Sequence, residues 1–82
     1  MLYNITFKPQ SLKDGKKISK KELERIFEKI EALKENMLGD VKHLTNTKPE
    51  YRLRVGDYRV LFEVEGEVIV IYRIRHRKDI YR

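Results

Sequence analysis

Residues 51–62, YRLRVGDYRVLF, decide how this 82-residue chain folds. Apolar and polar residues alternate on both sides of Gly56-Asp57, the spacing of a β-hairpin closed by a two-residue turn. With that turn, Val55 pairs with Tyr58, Arg54 with Arg59, Leu53 with Val60 and Tyr51 with Phe62. Side chains alternate across a sheet, so Tyr51, Leu53, Val55, Tyr58, Val60 and Phe62 share one face and Arg52, Arg54 and Arg59 the other. A four-residue turn keeps this parity, whereas a three-residue turn breaks it. Like charges directly opposed destabilise a strand pair. Arg54 facing Arg59 therefore asks for a reason other than the fold.

Working outward, a turn around Glu65-Gly66 is expected to add a strand over residues 68–74. It pairs Val64 with Glu67, Phe62 with Ile69, Val60 with Ile71 and Arg59 with Tyr72. Ile69 and Ile71 then join the core face, while Leu61, Glu63, Val68, Val70, Tyr72 and Ile74 join the arginines. Upstream, Tyr3, Ile5 and Phe7 alternate in a short strand that stops at Pro9. Residues 9–17 suit a short helix with Pro9 in its first turn and Leu12 inward. Ser19 and Glu22 form a capping box, and Leu23, Ile26, Phe27, Ile30, Leu33 and Met37 follow at helical spacing until Gly39. Residues 40–50 read as a polar loop with a brief extended piece over 41–44, and RHRKDIYR as a last helical turn. The fold class is α+β. One domain over 1–82 has an N-terminal strand, a helical hairpin and a roughly four-stranded sheet with helices on one face.

Composition points to a polyanion. The formal net charge is +6, and ten of the 11 lysines lie in the first 50 residues, whereas seven of the eight arginines lie in the last 32. Lysines on a helix usually make a solvated face. Arginine presents a planar fork that matches phosphate bidentately and stays protonated. Cysteine is absent, which fits a reducing cytosol and leaves no thiolate zinc site. The two histidines have no cysteine or carboxylate pattern to complete a metal site, so metal-independent chemistry is expected, without a cofactor. No stretch reaches the length of a membrane span and the start lacks a signal-peptide apolar run, so a soluble, cytoplasmic protein is expected.

The arginine face is half apolar, with Val68, Val70 and Tyr72 on it. One reading is a solvated face whose charges guard against edge aggregation. The other is a nucleotide site, with guanidinium for phosphate and the Tyr72 ring for a base. Arg73, Arg75, Arg77 and Lys78 extend the basic surface beyond the last strand, with His76 among them and Tyr81 beyond.

The block YRLRVGDYRVLFEV, a hydrophobic strand and then RHRKDIY, behind an opening YNITFKPQSLKD, resembles the RelE toxins of prokaryotic toxin–antitoxin systems over nearly the whole chain. The resemblance implies a fold like that of small microbial ribonucleases, with the active face opposite the helices. It also implies ribosome-dependent cleavage of mRNA in the A site, where a ribose 2′-hydroxyl attacks the adjacent phosphate and leaves a 2′,3′-cyclic phosphate. Carried over, it implies Arg52 and Arg54 as basic first-strand positions, Arg59 as a transition-state arginine, Arg77 on the acid side and Tyr81 as the terminal tyrosine. Family lysines stand where this chain has Arg52 and Arg54, and arginine cannot serve as a base. His76, with an intrinsic pKa near ~6.5, is the candidate base. A RelB-like antitoxin, the ribosome and mRNA are the implied partners. The rivals are a ParE-like toxin of DNA gyrase on the same scaffold and a non-catalytic basic RNA-binding module.

Overall fold

The computed structural model describes residues 2–80. Its elements run β1 (Asn4–Phe7), α1 (Pro9–Gly15), α2 (Lys20–Ala32), β2 (Val41–His43), β3 (Tyr51–Val55), β4 (Tyr58–Glu65), β5 (Val68–His76) and α3 (Arg77–Ile80). They build a mixed α+β fold on one five-stranded sheet of order β1-β5-β4-β3-β2. β1 runs parallel to β5, and every other neighbouring pair is antiparallel. The fifth strand is β2, the extended piece expected within residues 41–44, which pairs with β3 along Val41–Leu53 and His43–Tyr51.

The first hairpin has the register that its sequence dictates: Val55 opposite Tyr58, Arg54 opposite Arg59, Leu53 opposite Val60 and Tyr51 opposite Phe62. Gly56 takes φ +56° at the first turn position, where a side chain would be strained, as a type II′ turn requires. The second hairpin differs from expectation. Its turn residues are Gly66-Glu67, so Glu65 pairs with Val68, Val64 with Ile69 and Phe62 with Ile71. Gly66, at φ +62°, again comes first and an acidic residue second, repeating the Gly56-Asp57 solution. The expected Glu65-Gly66 turn put the glycine in the wrong place.

A β-bulge then changes the phase of β5. Phe62 faces Ile71 but Leu61 faces Arg73, which leaves Tyr72 as the extra residue. Beyond the bulge Val60 pairs with Ile74, Arg59 with Arg75 and Tyr58 with His76. Ile74 is therefore a core residue, only 4% exposed, rather than a member of the arginine face.

The core joins Ile26, Ile30 and Leu33 from the helical side to Leu53, Val55, Val60, Phe62, Ile69, Ile71 and Ile74 from the sheet. The Ser19 hydroxyl accepts the Glu22 N–H and starts α2. The helix stops at Ala32, earlier than the stripe through Met37 implied, and the chain turns with Asn36 and Met37 at positive φ. That early stop lets the Lys34 carbonyl accept the Tyr3 N–H at 2.9 Å and tie the N-terminal segment down. Leu12 is a second correction: it is 51% exposed, and α1 buries Ser11, Asp14 and Gly15 instead. The reason lies at the sheet edge that α1 covers. An edge presents backbone polar groups, so the helix facing it presents polar atoms.

Candidate nucleic-acid interface

The face opposite α2 carries the basic residues in cross-strand rows. Arg54 on β3, Arg59 on β4 and Arg75 on β5 are successive partners, so three arginines cross three strands side by side. The next row holds Lys42, Arg52, Leu61 and Arg73. Neighbouring strands are only ~5 Å apart, so each charge in a row raises the energy of the next. The bulge produces the all-arginine row. Without it, Arg75 would leave β5 on the helix side and Ile74 would lie opposite Arg59.

The cations differ in how they are held. Among the described residues, no hydrogen bond or ion pair holds the Arg52 or Arg54 side chain. Arg59 Nη1 donates to the carbonyls of Gly56 at 2.9 Å and Tyr58 at 3.0 Å, which ties its guanidinium to the hairpin turn. Arg75 Nη2 donates to the Asp79 carbonyl at 3.2 Å. Arg77 is exposed; its N–H donates to the Asp57 carbonyl at 2.7 Å and its Nη1 lies 4.0 Å from the Asp57 carboxylate. Arg77 thus stands beside the same turn as Arg59. Lys78 is exposed, and Lys8 Nζ sits 5.4 Å from the centre of the Tyr72 ring. Tyr81 lies outside the described residues.

Two side chains leave these rows: His76 lies off them, and Arg73, whose backbone sits in the second row, turns its guanidinium away. His76 is the partner of Tyr58 on the helix side of the sheet, and their rings meet edge to face at 5.2 Å. Its Nδ1 accepts the Lys78 N–H at 3.2 Å, and it lines a cleft of about 340 Å³ with Asp14, Lys17, Tyr58, Arg73, Arg75 and Asp79. Burial, then the neighbouring Glu22 carboxylate, raises the Tyr58 pKa above its ordinary 10.0. Arg73 turns over the free edge of β5 to Asp14. Its Nε donates to Oδ2 at 2.8 Å and its Nη2 to Oδ1 at 3.1 Å, while the Ile74 N–H donates to Oδ2 at 3.0 Å.

Asp14 is the residue the sequence reading missed. It is 7% exposed, on a short helix with lysines at both flanks, where a lone acid reads as solvated. Burial alone would raise its pKa. The bonds from Arg73, Ile74 and Gln10, with the Arg73 charge, outweigh that and hold the carboxyl below its ordinary value, and Asp14 in turn raises the Arg73 pKa. Glu63 is likewise buried, and its carboxylate accepts the Glu50 N–H.

The chain is similar to known proteins over nearly its whole length. Residues 5–81 match the family model of the ParE toxin of type II toxin–antitoxin systems, parDE. The chain is 32% identical to the putative toxin RelE1 of Methanocaldococcus jannaschii over 100% of its own length and 98% of that protein. It is 45% identical to Toxin RelE3 of the same organism, over 51% of this chain and about half (48%) of that protein. A solved RelB–RelE antitoxin–toxin complex from Methanococcus jannaschii superposes with a TM-score of 0.78 at 34% identity, covering 92% of this chain and 93% of that one. The chain belongs to the RelE/ParE superfamily of toxins of type II toxin–antitoxin systems.

Proposed function

We propose that this RelE/ParE-superfamily toxin is a ribosome-dependent mRNA endoribonuclease whose cutting face is the arginine side of the sheet. The observation that carries the reading is the Arg54–Arg59–Arg75 row, which costs the sheet stability and has a purpose once a phosphate lies on it. In the reaction the 2′-oxygen forms a bond to phosphorus, the bond to the 5′-oxygen breaks, one proton leaves the 2′-hydroxyl and one reaches the leaving oxygen. Negative charge accumulates on the phosphorane between these events. Arg52, Arg54 and Arg59, with Arg75 and Arg77 at the same end of the sheet, stabilise that charge electrostatically. None of them can take the proton, because arginine stays charged. His76 leaves β5 on the helix side, in a cleft it shares with Arg73 and Arg75. Proton transfer falls to His76, to Tyr81 or to a group of the ribosome, and the cleavage rates of His76→Gln and Tyr81→Phe on programmed ribosomes separate the three.

An antitoxin is the expected partner in the cell, by likeness to the RelB–RelE complex. A net charge of +6 suits an acidic or mixed chain laid over the basic face. No helix among the described residues is long and apolar enough to cross a membrane, in keeping with work at the ribosome.

The match to the ParE model favours a second reading, a toxin of DNA gyrase on the same scaffold. The purified toxin is mixed with ribosomes carrying a defined mRNA and, separately, with gyrase and supercoiled DNA. The first reading predicts cleaved mRNA with 2′,3′-cyclic phosphate ends and unaffected gyrase. Inhibited gyrase with intact mRNA would establish the second.

A further inference from the structure

We infer that Asp14, on α1 and outside the arginine face, is a positioning residue that selects the bulged register of β5 and so places Arg75 in the arginine row. This rests on reading that row as the phosphate-binding surface.

The argument starts from the edge of the sheet. β1 ends at Phe7, opposite Ile71, so the rest of β5 has β4 on one side and no strand on the other. In a strand, alternate residues point their backbone N–H and C=O groups to the same side. Ile71 points to the β1 edge, where its carbonyl accepts the Lys8 N–H at 2.8 Å. An unbroken β5 would turn the Arg73 amide to that edge two residues later. The bulge at Tyr72 turns the Ile74 amide there instead, and that amide is the one Asp14 accepts. One carboxylate thus stands in for the missing strand. Its second oxygen holds the Arg73 guanidinium over the edge, away from the core. Ser11 fixes the helix beneath, its hydroxyl donating to the Lys8 carbonyl at 2.7 Å.

The two registers differ in chemistry as well as packing. In the bulged one Ile74 is buried opposite Val60, and Arg75 stands opposite Arg59. In the unbulged one Ile74 would interrupt the row, and both Arg73 and Arg75 would point at the core. A buried, hydrogen-bonded carboxylate that accepts the right amide and holds the right guanidinium discriminates strongly between them. Asp14 touches neither RNA nor the row itself; it acts through the phase of the strand.

The test is a cycle of Asp14→Ala, Arg75→Ala and the double variant, with Arg54→Ala beside it. Affinity for a short single-stranded RNA is measured as a function of salt. Asp14→Ala should weaken binding on the order of tenfold, the loss of one charged contact, and lower the slope of log affinity against log salt by roughly 0.7, one phosphate's worth. Arg75→Ala should do the same, and the double variant should bind no worse than Arg75→Ala alone. A loss of folded protein would not change the slope, so the slope separates positioning from stability. If Asp14→Ala does not fold, Asp14→Asn enters the same cycle, with a smaller loss and the same non-additivity. Additive losses, or an unchanged slope in the Asp14 variant, would overturn the inference. Arg54→Ala binding like wild type would instead overturn the phosphate-face reading on which it rests.

Discussion

Arg54 and Arg59 oppose each other on adjacent strands, and Arg75 extends the row. Each directly opposed like-charge pair costs roughly 0.2–1 kcal/mol, a cost that a bound phosphate reverses. Arg54 gives the cleaner variant, since no partner among the described residues holds its side chain, whereas Arg59 also ties the Gly56 and Tyr58 carbonyls. Arg54→Leu should leave the thermal midpoint unchanged or slightly raised. Arg59→Leu should fall within about 1 kcal/mol of wild type, the lost turn bonds offsetting the relieved repulsion. A midpoint loss in Arg54→Leu, read by calorimetry, would make that arginine structural. Asp14 behaves in the opposite sense. Its folded-state pKa lies below the ordinary value of 3.8, so its stabilisation is present in full above about pH 4 and is lost as pH falls through the folded value. Asp14→Asn should cost on the order of 1–3 kcal/mol at neutral pH, and the difference from wild type should shrink as the pH falls below 3.8 and through the folded-state value. A difference that persists unchanged in acid urea melts would show that the carboxylate charge is irrelevant.

At the level of elements, the first hairpin was legible because Gly56-Asp57 and strict alternation allow one register. The second hairpin was legible in its faces but not its pairs. Gly66 admits either turn position to the eye, and a shift of two residues leaves the alternation intact. The bulge was missed by reading VIVIYRIRH as an unbroken strand, which would turn Arg73 and Arg75 to the core and Ile74 away from it. Skipping Tyr72 reverses all three, and Asp14, 60 residues away in sequence, supports that phase at the Ile74 amide. For the same reason the arginines were readable as a face, while the place of Arg75 in the row and of His76 on the other side was not. Helix α1 misled through Leu12, because inward-facing apolar residues are the rule for a helix on a sheet face and not for one on an edge. The buried side of the hairpin should respond as a core does. Leu53, fully buried with its Cδ1 close to Gly39, should cost about 2–5 kcal/mol as Leu53→Ala, with cleavage per folded molecule intact. Denaturant melts paired with active-fraction titration test both halves, and lost cleavage in fully folded Leu53→Ala would link the two faces.

The whole molecule divides its sheet between two tasks. One face joins with α2 to build the core, and the other gathers cations that contribute nothing to that core. The proposed function gives the division a purpose: on that reading the exposed cations of this face meet RNA, and an antitoxin laid over them silences the toxin. Affinity for RNA should therefore fall steeply with salt, by about 0.7 in log–log slope for each phosphate held on the arginines. Binding that is flat with salt would remove phosphate from the account. The most direct test of the central claim is the single-turnover rate of mRNA cleavage on programmed ribosomes, for wild type and Arg54→Leu at equal folded concentration. The account predicts 2′,3′-cyclic phosphate ends from the wild type, and a rate lower by about 10²-fold or more in the variant, as for removal of one transition-state donor. Equal rates, with the variant's fold intact, would contradict it.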